Sequence, residues 1–380
     1  MSGRLRFIDV FRGLAILLML HGHTADALLN PVEKSSLAFQ IYTIFRGFTA
    51  PMFLFISGFA FSITTLKYVE EYSRFSEKFL KRIRKFLFII FLGYFLHLPY
   101  LSLRKLISES NFEVLSVLFS SDVLQVIGVS LLSLQLALFL FKDANKFSTF
   151  SLLAGIFVFL ISPLLFMIDF SKFLPLFLSQ YLNTFHGSKF PLFPWAGYIL
   201  FGVYIGHMFM VSANSKQTEI FFNKILKISL FVFPITLILQ PLSEIILNPN
   251  QFLIYSSPFL SFSRLSFVII VFYIVWRIES VINLKFHPLQ VFGVESLFVY
   301  VVHLMIIYGS PINPTLSFSA FWREMLSYPQ VFTLFLILAM TMFLSSYLLN
   351  IAKWRNYRTV DYLRYAIANI ILLVFLINPY

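Results

Sequence analysis

Residues 6–23 read Arg6-Phe-Ile-Asp9-Val-Phe-Arg12-Gly-Leu-Ala-Ile-Leu-Leu-Met-Leu-His21-Gly-His23. The run is apolar enough to lie in a bilayer, yet it carries an acid, two arginines and two imidazoles. A helix needs about 20 mostly apolar residues to cross the hydrocarbon layer. Reading outward, such stretches fall at about 8–29, 39–65, 81–102, 121–141, 149–169, 192–211, 221–246, 260–278, 290–308, 331–350 and 361–378. Pro51, Pro234 and Pro241 fall inside two of them, which membrane helices tolerate. The expectation is an all-α, polytopic membrane protein with about eleven transmembrane helices, forming one domain over 1–380 with no soluble domain.

Composition agrees. The 380 residues are 59% hydrophobic and 12% charged, with 50 Phe and a mean hydropathy of +0.84. Soluble domains carry about 25% charged residues, so a soluble enzyme is excluded. The chain has no Cys, which excludes disulfides, thiolate metal sites and a cysteine nucleophile. The first segment lacks a small-residue cleavage site and reads as retained.

The net charge of +12 is a matter of sidedness rather than of nucleic-acid binding. With eleven spans, twenty of the 29 basic residues fall on the side of the amino terminus and seven on the other, with Arg12 and Arg46 at membrane depth or its edge. Positive charge concentrates on the cytoplasmic side, so the chain is expected to run N-in and C-out. The cluster from Lys78 to Lys85 fits that signal and an anionic-lipid contact.

On a regular helix Asp9, Arg12, Ile16, Met19 and His23 share one narrow stripe, and His21 points about 200° away from His23. An arginine in hydrocarbon faces the protein interior and needs a partner; Asp9 is the obvious one. Arg12 and His23 are separated by about 16.5 Å of rise. That spacing suits an enzyme holding an anionic donor near the cytoplasm and deprotonating an acceptor near the outer face. A structural ion pair plus a helix-end histidine is the plain alternative.

Arg12-x10-His23 resembles the transmembrane acyltransferase superfamily, and Ile8-Asp9-x2-Arg12-Gly13-x-Ala15-Ile16-x2-Met19 resembles its heparan-α-glucosaminide N-acetyltransferase branch. Four further segments resemble motifs of that branch or of the superfamily. They are Arg46-x4-Pro51-x-Phe53-x3-Ser57-Gly58, Asp122-x-Leu124-Gln125-x2-Gly128, Phe190-Pro191-x2-Pro194-Trp195-x-Gly197-Tyr198-x3-Gly202-x3-Gly206, and Glu295-Ser296-Leu297-x2-Tyr300-x2-His303.

The resemblance implies an integral membrane acyltransferase of the plasma or bacterial inner membrane. It implies transfer of an acyl group, most often acetyl, from cytoplasmic acyl-CoA to a hydroxyl or amine of an extracytoplasmic glycan. His23 and His303 are then the catalytic candidates, with Arg12, Asp9, Arg46, Gln125, Trp195, Ser296 and Tyr300 as substrate-binding candidates. The branch's lysosomal member has Asn where this chain has His23, so N-acetylation of glucosamine is not implied.

Each candidate has a structural alternative: close packing for Ser57, a buried His–Tyr bond for His303, interfacial anchoring for Arg46 and Trp195. Glu295 lies at membrane depth and calls for a partner. His97, His186, His207 and His287 match no motif, and no metal is expected. The partners expected are acyl-CoA, the glycan and the lipid bilayer, with homodimer formation left open. A transporter or flippase would also need intramembrane charge; a membrane scaffold held by structural ion pairs is a third reading.

Overall fold

The computed structural model describes residues 5–247, 255–282 and 287–379. Arg4 and Lys285, two of the basic residues in the sidedness count, lie outside them. Among the described residues thirteen helices make up the framework: α1 (Arg6–Leu28), α2 (Leu37–Arg46), α3 (Thr49–Thr65), α4 (Glu77–Leu96), α5 (Phe112–Leu118), α6 (Val123–Ala137), α7 (Ala144–Leu165), α8 (Leu192–Asn214), α9 (Thr218–Leu247), α10 (Pro258–Val281), α11 (Pro288–Val294), α12 (Ser296–Tyr308) and α13 (Tyr328–Ile377). Short helical turns fill some connections. Among the described residues the only extended pairing is an isolated bridge between Leu29 and Leu326.

Among the described residues seven helices are long and apolar enough to cross a membrane, or up to nine if the bent pairs α5–α6 and α11–α12 each count as one span. The count of eleven expected from the sequence is therefore not reproduced, although every expected stretch is helical. Two cases make the difference. The stretch expected at 81–102 lies largely on α4, which starts earlier and carries Lys78, Lys81, Arg82, Arg84 and Lys85 in its first half. The stretches expected at 331–350 and 361–378 lie on one 50-residue element, α13, interrupted where Asn356 leaves helical geometry (φ −154°, ψ 87°).

The chain divides into two compact units. The first comprises Met1–Thr49, Phe95–Leu118 and Glu279–Tyr380, the second Ala50–Tyr94 and Phe119–Ile278. In the first, α1 is the central helix and packs on α11, α12 and α13. Glycines permit the closest contact. A Cβ on Gly13 would lie 1.8 Å from the Leu289 carbonyl oxygen, and one on Gly293 would lie 1.8 Å from that of Asp9. Neither clash can be relieved by a rotamer change, because both obstacles are backbone. Just past the carboxyl-terminal end of α1, Asn30 donates to the Leu326 carbonyl, and Lys34 pairs with Glu324 at 2.8 Å. The lysine holds the Glu324 carboxyl below its ordinary range.

The second unit is built on α8, which packs against α7, α6 and α9. Phe193 near the start of α8 is extended (φ −103°, ψ 122°), as expected for a residue followed by proline. Phenylalanines supply the core: Phe55, Phe59, Phe159, Phe222 and Phe272 are fully buried, and Phe59 meets Phe272 edge-on with centroids 4.9 Å apart. In the 170–191 connection, Asp169 accepts from the Ser171 hydroxyl and lies 3.0 Å from His186. Those two contacts pull the Asp169 carboxyl below its ordinary range.

Candidate active site

The first unit collects most of the polar residues singled out in the sequence. Along α1, Asp9, Ile16 and Met19 are buried and Arg12 and His23 half-buried, so the stripe faces protein. The Arg12 guanidinium lies 3.8 Å from the Asp9 carboxylate and donates to the Gly293 carbonyl at 3.4 Å. That carbonyl is at the end of α11, where the chain bends by 86° into α12. The bend is at Glu295, whose backbone leaves helical values (φ −102°, ψ 24°). A broken helix exposes carbonyls that the continuous ladder would satisfy, and a cation meeting them is favourable.

Glu295 itself is buried, with 3% of its side chain exposed, and is paired with Lys353 of α13 at 2.5 Å. The partner that a carboxylate at this depth requires thus comes from 58 residues further along the chain.

Beyond the bend, Ser296, Tyr300 and His303 repeat along one face of α12 and are all buried. His303 is completely enclosed. Its Nδ1 lies 2.7 Å from the Val299 carbonyl oxygen. A carbonyl only accepts, so Nδ1 carries the hydrogen and the neutral ring presents Nε2 as an acceptor. Among the described residues that Nε2 has no hydrogen-bond partner. The His303 and His23 rings lie with centroids 5.4 Å apart, and Tyr300 meets His303 edge-on at 5.7 Å. His23 Nδ1 is 3.3 Å from the hydroxyl of Tyr308, a residue that no sequence motif singled out.

His21 faces away from His23, as helical spacing requires. Its Nδ1 contacts the Tyr42 hydroxyl, and Phe335 packs edge-on against its ring. Arg46 reaches Asp26 at 2.8 Å, its aliphatic stem lying across Gly22. An acid on the helix that carries both histidines therefore engages Arg46.

The remaining candidates belong to the second unit. Gln125 is fully buried. It accepts from the Asp122 backbone N–H at 3.2 Å and donates to the Ser120 carbonyl at 3.3 Å. Together with Asp122 it forms a reciprocal cap on α6. Trp195 packs on Phe190 with centroids 4.6 Å apart, and the Arg264 guanidinium sits over the indole at 5.7 Å. Ser57 donates to the Phe53 carbonyl of its own helix, and a Cβ on adjacent Gly58 would lie 1.9 Å from the Ile199 oxygen. Both favour the packing role over a nucleophilic one.

Chemically, the first unit offers two adjacent imidazoles, one of them locked as an acceptor, above an arginine–aspartate pair on the same helix. Such a group can take a proton from a nucleophile. Among the described residues no cluster of three or more His, Asp or Glu could hold a metal ion. No curated protein matches the chain. Residues 4–241 match the family model described as heparan-alpha-glucosaminide N-acetyltransferase, catalytic.

Proposed function

Because the chain belongs to the heparan-alpha-glucosaminide N-acetyltransferase catalytic family, a family of membrane acetyltransferases, we propose that it moves an acetyl group from cytoplasmic acetyl-CoA to a hydroxyl or amine of an extracytoplasmic glycan. The observation that carries this reading is the juxtaposition of His23 and His303 at 5.4 Å, toward the carboxyl-terminal end of a helix whose amino-terminal half holds Arg12 and Asp9. Counted with the eleven spans expected from the sequence, the excess of basic residues on the amino-terminal side supports an N-in, C-out orientation. Arg12 then lies toward the donor and His23 toward the acceptor.

In this reading His23 removes the proton of the acceptor hydroxyl or amine as that group attacks the thioester carbonyl. The tetrahedral intermediate collapses with rupture of the C–S bond, and the proton on His23 returns to the departing CoA thiolate. Protons and electrons balance without a further reactant. His303, an acceptor in its neutral form, serves the attacking group rather than the oxyanion. Tyr300 and Ser296 shape the same face, and Arg46 is assigned to the acceptor side. Direct attack is favoured over a covalent acyl-enzyme, because the motif serine, Ser57, is engaged within its own helix.

The test is release of free CoA thiol by purified protein given acetyl-CoA with glucosamine or with glucose. Thiol release that depends on the acceptor, matched by acetylated sugar, is the expected result, and the two sugars separate amine from hydroxyl transfer. Acetyl-CoA left intact with every acceptor, in protein that binds it, would favour the transporter reading.

A further inference from the structure

Tyr308 is the last residue of α12, and Gly309 follows it at φ +88°, a backbone conformation that glycine adopts freely. The turn is fastened by Asn313, whose amide donates to the Met305 carbonyl at 2.9 Å. The Tyr308 hydroxyl is thereby held beside His23, 3.3 Å from Nδ1 and 3.4 Å from the residue's own carbonyl oxygen. Both distances exceed the usual hydrogen-bond range; catalytic contacts are often long before substrate is bound.

A hydroxyl has one hydrogen and two lone pairs, whereas a carbonyl only accepts. When Tyr308 donates to the His23 carbonyl, its oxygen can accept from Nδ1–H. That arrangement satisfies both contacts and leaves the Nε2 lone pair as the basic position. The opposite arrangement, with Tyr308 donating to Nδ1, places the hydrogen on Nε2 and blocks it as a base.

We propose that Tyr308 is a positioning residue which, through its contacts with both Nδ1 and the carbonyl of His23, fixes that ring as the Nδ1–H tautomer and so presents Nε2 to the acceptor. After proton transfer the same oxygen accepts from Nδ1–H of the imidazolium. A phenol thus takes the orienting place that a carboxylate holds in serine hydrolases. The neutral partner adds no buried charge beside the site. The proposal rests on His23 being the base.

The test combines ¹⁵N spectra of histidine-labelled protein with kinetics. The His23 signals are assigned by their loss in His23→Gln, and His303 serves as the internal control of fold. The wild type is expected to show the hydrogen of His23 on Nδ1. Tyr308→Phe, which keeps the ring and removes the hydroxyl, is expected to shift the population toward Nε2–H. It should also lower kcat about tenfold, the equivalent of one hydrogen bond, with KM for acetyl-CoA unchanged. A wild-type protein already protonated on Nε2 overturns the proposal, as does an unaltered tautomer or an unaltered kcat in Tyr308→Phe. If His23→Gln retains full turnover, the base assignment fails separately, whatever the tautomer.

Discussion

His23→Ala is expected to lower acetyl transfer by about 10²–10⁴-fold, the range that a positioned general base contributes. The effect should appear in kcat, because the imidazole acts on the proton of the attacking group and not on the CoA body. Affinity for acetyl-CoA should be retained, since Arg12 lies three turns away on α1 and keeps its contacts with Asp9 and Gly293. His23→Gln should be equally inactive: it preserves size and polarity but has no basic nitrogen. Thermal unfolding in detergent and acetyl-CoA binding check that the variants are folded. Wild-type turnover in a folded His23→Ala protein would remove His23 from the chemistry.

The second large effect concerns stability. Lys353→Met should destabilise the protein by about 3 kcal/mol, toward the lower end of the range for removing one member of a buried pair. The lower end applies because Lys353 keeps 26% of its side chain exposed while Glu295 keeps 3%. The cost arises from leaving the Glu295 carboxylate uncompensated at the bend between α11 and α12, so the partner change Glu295→Gln should recover much of it. Thermal unfolding of the single variants and of Glu295→Gln/Lys353→Met measures this directly. A single Lys353→Met variant as stable as wild type would show that the carboxylate is solvated or protonated instead. Because Ser296 follows Glu295 directly, loss of the pair should also disturb the face that carries His303.

Much of this arrangement could be read from residue spacing. The stripe Asp9–Arg12–His23, with His21 opposite, follows from 3.6 residues per turn. Each apolar stretch long enough to span the membrane is helical in the structure. What resisted reading depended on contacts distant in sequence. Lys353 reads as a loop cation near the end of an apolar segment, and only packing of α13 on α11 brings it to Glu295. Tyr308 carries no motif; its role comes from the turn at Gly309 and from the neighbouring helix. The break at Asn356 has neither Pro nor Gly to announce it.

For Gln125 the signal was present. An Asp followed three residues later by Gln ahead of an apolar run is the pattern of a reciprocal helix cap, and the buried amide bonds follow that pattern. The motif glycines Gly13, Gly58 and Gly202 likewise lie where backbones meet; a Cβ on Gly202 would come within 2.1 Å of the Phe55 oxygen. Several residues that look like a catalytic signature therefore specify how the helices approach one another. His23, His303, Arg12 and Tyr308 remain as the groups proposed to carry the chemistry.

The central claim is that an acetyl group crosses while CoA does not. It is tested most directly in sealed vesicles holding the protein in one orientation, with acetyl-labelled acetyl-CoA on the side of the amino terminus and glucosamine enclosed on the other. Labelled sugar is expected inside and an equal amount of free CoA outside, with neither in His23→Ala vesicles. Intact acetyl-CoA recovered inside, or labelled sugar formed equally well without His23, would contradict it.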